Sequence, residues 1–142
     1  MMTPKARHFA RRRAMQAHYQ MLFAGTEPME LERQFREDQD MAGVDMAYFL
    51  TLLYQVPAQW TALDALIAPH ADRAMASIDP IERSILRIAC YELKEQPDVP
   101  YKVVINEAVE LAKLFGADQG HRYVNGVVDK LAPQLRLAEC AR

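Results

Sequence analysis

Aromatic and cationic side chains occur together at two places in the last third of the chain. Tyr101 and Lys102 place a ring beside an ammonium group, and Gln119, Arg122 and Tyr123 supply an amide, a guanidinium and a ring within about one helical turn. Proteins bind single-stranded RNA by stacking its bases on rings and by contacting its phosphates. These residues are therefore candidates for an RNA-binding surface. Composition alone slightly favours the alternative, in which Tyr123 faces the core and Arg122 pairs with an acid.

The N-terminal residues form a second candidate surface because their charge is one-sided. No acidic residue precedes Glu27, whereas five basic residues do: Lys5, Arg7, Arg11, Arg12 and Arg13. Arginines on a helix usually form a solvated face, but this density, with no acid within helical reach, favours phosphate binding. From Glu27 to Asp45, both included, seven acids reverse the sign, so that stretch would not attract a polyanion.

A helical hairpin is predicted between residues 100 and 131, and it would carry the first group of candidates. Apolar residues recur there at helical spacing, at Val104, Ile105, Ala108, Leu111, Ala112 and Phe115, then at Val124, Val127, Val128 and Leu131. Gly116 is predicted to be a left-handed cap residue, Asp118 the N-cap of the second helix, and Pro133 its stop.

The rest of the chain also predicts helices, and we interpret the whole as one compact domain, residues 1–142. Residues 1–6 are expected to form a flexible basic arm, followed by a helix from about Arg7 to Phe23. The Asp79-Pro80 pair starts a helix that is apolar on most sides and therefore central. Shorter helices are predicted over about 29–39, 45–56 and 58–67. On the first helix Arg7, Arg11 and His18 are expected to project on the side next to a narrow face of small residues, and Trp60 is expected to pack in the core.

Composition limits the class of protein. A chain of 142 residues with 51% apolar and 25% charged residues is typical of one soluble domain that buries about 70% of its unfolded surface. Without a membrane-spanning run or a secretory signal, we expect a cytoplasmic protein with reduced cysteines. Catalytic motifs and metal-ligand spacings are missing, and Glu107, Glu110 and His121 are interpreted as solvating charge. We therefore expect no enzyme activity, no metal and no cofactor.

The chain resembles the NusB family of bacterial transcription antitermination factors. The resemblance lies in PYKVVINEAVELAKLFG and HRYVNGVVDK, which match the C-terminal signature of that family, and it continues upstream through IERSILRIACYEL, VDMAYFLTLL and RRRAMQAHYQML. It implies an all-α fold of about seven helices in two packed helical subdomains, without enzyme activity.

The resemblance also implies partners and residue roles. Members of the family bind the boxA element of nascent RNA together with a small-subunit ribosomal protein, NusE, among other antitermination factors on RNA polymerase. By carry-over, RNA would contact Lys5, Arg7, Arg11, Tyr101, Lys102, Gln119, Arg122 and Tyr123, and the ribosomal protein would contact Tyr19 and Glu82. Asn106 and Gly126 of the signature are interpreted as structural, with Asn106 bonding backbone and Gly126 permitting close approach of a helix.

Two other functions stay open. The first is a protein-binding or homodimeric scaffold without direct RNA binding. The second is a relative of the N-terminal domain of ribosomal RNA cytosine methyltransferases, which requires a catalytic domain after it. The chain departs from the family pattern at His18, Gln119 and Tyr123, where leucine, an acid and phenylalanine are common.

Overall fold

Residues 3–141, which this computed structural model describes, form eight α-helices and two short 3₁₀ helices, with no strand among them. The helices are α1 (Pro4–Ala24), α2 (Pro28–Asp38), α3 (Met46–Ala58), α4 (Trp60–Ile67), α5 (Pro80–Glu95), α6 (Tyr101–Phe115), α7 (Gly120–Leu135) and α8 (Leu137–Cys140). The 3₁₀ helices are Ala68–His70 and Met75–Ser77. The prediction of an all-α fold is confirmed. None of the described helices is long and apolar enough to cross a membrane.

The helices fall into two compact units, Met1–Ala58 and Gln59–Arg142, hereafter unit 1 and unit 2. This agrees with the two helical subdomains that the resemblance implies. That the two units behave as one domain stays a prediction.

Unit 1 is built on the packing of α1 and α2 against α3. The rings of Phe35 on α2 and Phe49 on α3 stack with centroids 5.8 Å apart, and both side chains are buried. Asp45 caps α3, because its Oδ1 accepts a hydrogen bond from the backbone N–H of Tyr48 at 3.0 Å.

The expected flexible arm at residues 1–6 is wrong for its second half. Residues 1 and 2 lie outside the described residues, but α1 already begins at Pro4. Thr3 Oγ1 accepts a hydrogen bond from the N–H of Ala6 at 3.1 Å, and Pro4 occupies the first helical position. The basic side chain of Lys5 is therefore carried by a helix.

Unit 2 is organised around α5, which packs against α4, α6 and α7 and is buried on most sides, as predicted. Asp79 starts this helix, since its Oδ1 accepts hydrogen bonds from the N–H groups of Ile81 at 2.9 Å and Glu82 at 3.3 Å. Trp60 departs from the prediction of core packing. It is only half-buried, and the Arg87 guanidinium covers its ring at 4.7 Å.

The hinge between α6 and α7 differs in detail from its prediction. Gly116 is not left-handed, with φ −81°, and glycine is needed there because a Cβ would lie 2.7 Å from the carbonyl oxygen of Ala112. The left-handed residue is Gln119, with φ 65°, and it takes the N-cap position predicted for Asp118 without a capping side-chain bond. Pro133 lies inside α7 and does not end it.

The opposite end of the hairpin is held by residues that follow α7. Arg136 donates hydrogen bonds to three carbonyl oxygens at the end of α5, of Leu93 at 2.7 Å, Gln96 at 2.8 Å and Glu92 at 3.1 Å. It also pairs with Glu139 at 2.6 Å, and Glu139 accepts a hydrogen bond from the N–H of Tyr101 at 2.9 Å. The end of α5 and the start of α6 are thereby fixed to each other.

Candidate RNA-binding surface

The candidates on unit 2 lie at the two ends of one hairpin. The start of α6, with Tyr101 and Lys102, lies near the end of α7, as the bond from Tyr101 to Glu139 shows. The hinge end, with Gln119, Arg122 and Tyr123, lies one helix length away. For the 15 residues of α6 that length is about 20 Å at 1.5 Å per residue. The structure therefore brings these five residues to one hairpin but not to one point.

The cations of this hairpin face solvent. Lys102 and Arg122 are both exposed, and no carboxylate among residues 3–141 pairs with either of them. Gln119 is also exposed, and its Nε2 lies 3.4 Å from Asp118 Oδ1. The alternative in which Arg122 pairs with an acid does not apply within the described residues. The side chains of Lys102 and Arg122 are thus available for an anion.

Tyr123 is only partly available for stacking. The residue is half-buried and its hydroxyl oxygen is buried, so burial, followed by the charge of nearby Asp72, raises the pKa of the phenol. The guanidinium of Arg73 lies over its ring, 4.5 Å from the centroid. The carboxylate of Asp72 accepts hydrogen bonds from Nε of Arg73 at 2.6 Å and from its Nη2 at 3.1 Å.

Glu82, expected to contact a protein partner, is 5% exposed and packs against the hinge between α6 and α7. Its carboxylate accepts a hydrogen bond from the backbone of Ala117 and lies against Gly120, where an added Cβ would collide with it. Burial, and then the charge of Asp79, raises its pKa. Whatever its part in partner binding, which stays a prediction, Glu82 positions the first turn of α7.

The candidates on unit 1 are less exposed than expected. Lys5 is exposed, with its Nζ 6.0 Å from the Phe9 ring centroid. Arg7 is half-buried, 4.4 Å from the Tyr48 ring centroid and 3.8 Å from Asp45 Oδ2. The acid near Arg7 is therefore Asp45, the N-cap of α3, and not a residue of α1 itself.

Arg11, expected to contribute to a phosphate-binding surface, and His18, expected beside the small-residue face of α1, are both buried. Arg11 is 2% exposed and lies 5.5 Å from the Tyr48 ring centroid. His18 is 1% exposed, and its Nε2 lies 3.0 Å from the carbonyl oxygen of Leu52. Both face α3, so α1 buries a wider stripe than its small residues alone indicate. In this conformation Arg11 cannot offer its guanidinium to RNA.

Tyr19, the other expected partner contact, lies on α1 beside a large exposed ring. Its ring centroid is 4.7 Å from that of Phe23, which is 66% exposed. The sequence pattern did not single out Phe23, although its place four residues after Tyr19 puts it on the same side of the helix.

Two signature residues do not have the structural roles expected of them. Gly126 is exposed, and a Cβ added there would meet nothing within 4 Å, so no helix approaches it. Asn106 is also exposed and makes no side-chain hydrogen bond within the described part of the chain. Residues 3–141 contain no group of three or more metal-ligating side chains.

Comparison with known proteins decides the family. The sequence model of the NusB family matches residues 8–133. The chain belongs to the NusB family. It is 50% identical over 139 residues to the transcription antitermination protein NusB of Alcanivorax borkumensis, with 98% of this chain and 93% of that protein covered. The corresponding protein of Pasteurella multocida is 51% identical over 129 residues, covering 91% and 90%.

A solved NusB structure supports the same assignment. The NusB of T. maritima matches with a TM-score of 0.82 at 27% sequence identity, and the match covers 100% of both chains. Arg136 and Glu139, which fix the start of α6, lie just beyond the residues that the NusB family model matches.

Proposed function

We propose that this NusB-family chain is an RNA-binding transcription antitermination factor. It would bind the boxA element of nascent ribosomal RNA together with the ribosomal protein NusE, in a complex with other antitermination factors on RNA polymerase. The observation that supports direct RNA binding is the exposure of Lys102 and Arg122 without a carboxylate partner among residues 3–141. Such side chains can neutralise phosphates at little cost, because no ion pair has to be broken.

The separation of the two ends predicts how the RNA would lie. To reach both Lys102 and Arg122, a single strand must run along the hairpin for about 20 Å, which is several nucleotides. Tyr101, half-buried at the start of α6, and Tyr123 at the hinge offer rings near the two cations. A short linear RNA element fits this arrangement better than one flipped base or a folded stem.

The unit 1 contacts are a smaller part of the proposal. Lys5 and the half-buried Arg7 lie on α1 and would add phosphate contacts, whereas buried Arg11 would support α1 against α3. The exposed ring of Phe23 beside the half-buried ring of Tyr19 supports a protein contact on the same helix, because aromatic rings are frequent anchors of protein interfaces.

The test is a fluorescence-anisotropy titration of a labelled boxA-like RNA, with and without the ribosomal protein. Lys102→Ala combined with Arg122→Ala should lower affinity roughly tenfold per side chain. The same double variant should reduce the salt slope by about 0.7 for each phosphate that is no longer neutralised. The partner should raise the affinity of the unmodified chain, since it adds a second contact surface.

A matched control removes the same net charge elsewhere. Lys113 pairs with Glu110 at 3.8 Å, and Arg33 pairs with Glu37 at 2.7 Å. Changing Lys113 and Arg33 to alanine should leave RNA affinity nearly unchanged. If the unmodified chain bound no RNA under either condition, the scaffold function would replace this proposal.

A further inference from the structure

The segment between α4 and α5 contributes a side chain to the hinge end that neither its sequence pattern nor the family resemblance points out. Arg73 is the residue concerned, and its guanidinium lies 4.5 Å from the centroid of the Tyr123 ring. At this distance a guanidinium interacts favourably with the electron-rich face of a phenol ring. One face of Tyr123 is therefore covered before any RNA arrives.

This guanidinium is held in place on two sides. Asp72 accepts from its Nε at 2.6 Å and from its Nη2 at 3.1 Å, a two-pronged contact that fixes the plane of the group. The carboxylate of Asp72 is the main cause that raises the pKa of Arg73, and Arg73 in turn lowers the pKa of Asp72. The plane is thus preorganised by Tyr123 beneath it and by Asp72 at its edge.

Exposure distinguishes the two stacked groups. Tyr123 is half-buried with its hydroxyl oxygen buried, whereas the side chain of Arg73 is 44% exposed. Of the two planar groups, the guanidinium is the more open to an approaching base. Proteins that recognise single-stranded RNA stack bases on arginine guanidinium planes as well as on rings.

We propose that Arg73 and Tyr123 form one composite stacking platform, in which an RNA base stacks on the outer face of the Arg73 guanidinium and Tyr123 supports it from behind. Asp72 is a positioning residue in this arrangement, because it orients the guanidinium and does not itself touch RNA. The inference rests on the proposed function and adds to it a residue that selects for a planar, unpaired base. The hinge end then has two arginines with different roles: Arg73 stacks on a base, and Arg122 contacts phosphate.

The test compares Arg73→Lys, Arg73→Ala and Asp72→Asn in the RNA titration described above, with the full chain and the ribosomal protein present. Arg73→Lys keeps the charge but removes the plane, so we expect about a three- to tenfold loss of affinity with an unchanged salt slope. Arg73→Ala should lose at least as much, and Asp72→Asn less than either. Arg33→Ala is the matched control, because Arg33 is an exposed arginine paired with carboxylates in unit 1 and should change affinity less than about twofold.

A second measurement tests whether the two groups act as one platform. Combining Arg73→Ala with Tyr123→Leu should cost less affinity than the sum of the two separate losses, because either change alone already disrupts the stack. Circular-dichroism melting curves of the Arg73 and Asp72 variants should stay within a few degrees of the unmodified chain, since both side chains are exposed.

The outcomes separate this inference from the proposed function. If the unmodified chain binds RNA but Arg73→Ala binds equally or more tightly, Arg73 merely covers Tyr123, and the platform is overturned while RNA binding stands. If Arg73→Lys binds as tightly as the unmodified chain, only charge matters and the stacking role is wrong. If no variant and no unmodified chain binds RNA, the proposed function fails and this inference with it.

Discussion

The cations of α1 and those of the α6–α7 hairpin have the same chemistry but different surroundings. On α1, Arg11 is buried and Arg7 lies against Tyr48 and 3.8 Å from Asp45. Lys102 and Arg122, by contrast, are exposed and form no ion pair with an acid among the described residues. The one-sided charge of the N-terminus therefore overstates the charge that this helix offers to a ligand. Counting acids along one helix misses those that another helix supplies.

The largest expected effect is the difference in stability between two single variants, Arg11→Ala and Arg122→Ala. Arg11→Ala should lower the free energy of unfolding by about 3 kcal/mol, since it empties a buried site and removes a charge from its partners. Arg122→Ala should change it by less than about 0.5 kcal/mol, as is usual for exposed positions. Urea unfolding of both variants is the measurement, and equal costs would contradict the assignment of Arg11 to the core of unit 1.

A second prediction compares two glycines of α7. In Gly120→Ala the new Cβ collides with the buried carboxylate of Glu82, so we expect a loss of about 1–2 kcal/mol and weaker RNA binding as the hinge end shifts. Gly126→Ala meets open space and should gain up to about 1 kcal/mol, because alanine favours the helix. Thermal unfolding of the two variants measures whether each change raises or lowers the stability.

Glu82→Ala added to Gly120→Ala should recover part of that loss, because it removes the group with which the Cβ collides. The cycle also needs Glu82→Ala alone, because that change removes the bond to Ala117. If Gly120→Ala cost as much with Glu82→Ala present as without it, Glu82 would not be the group that the new Cβ meets.

The third prediction uses the titration of Glu82. Burial raises its folded pKa above the unfolded value, so the folded chain binds more protons between the two, and the stability that Glu82 contributes falls as pH rises through that window. Glu82→Gln keeps an acceptor for Ala117 but cannot ionise. The free energy of unfolding of the glutamine variant minus that of the unmodified chain should therefore be larger at about pH 7 than at about pH 4.5. We expect this change to be smaller than the loss caused by Gly120→Ala. A pH-independent difference between the two proteins would argue against a buried, ionising Glu82.

The sequence predicted the local features of the fold well because their causes are local. Asp79 is followed by Pro80, which fixes a helix start, and the apolar spacing of α6 and α7 defines a hairpin. The separation of Lys102 from Arg122 by one helix length also follows from that hairpin, because the two ends of an antiparallel pair cannot meet.

The features that the sequence could not predict depend on contacts between distant segments. Arg73 lies in a segment without periodicity, and only folding brings it onto Tyr123, fifty residues further along the chain. Asp45 reaches Arg7 in the same way, from the N-cap of another helix. The burial of Arg11 and His18 depends on how widely α3 covers α1, which the apolar pattern of α1 does not show because buried polar residues interrupt it.

The smallest effect isolates one charge at the hinge end. Gln119 has φ 65°, a conformation that asparagine and aspartate tolerate better than most residues, so Gln119→Asp and Gln119→Asn are matched in shape and differ in charge. A carboxylate there faces the RNA surface formed with Arg122 and should weaken RNA binding by about two- to threefold relative to the asparagine variant, as expected for charges several ångströms apart near water. The difference should vanish at about 1 M salt, where charges are screened beyond about 3 Å. Tighter binding by the aspartate variant would mean that RNA does not pass this end of the hairpin, and Arg122 would then not belong to the RNA-binding surface.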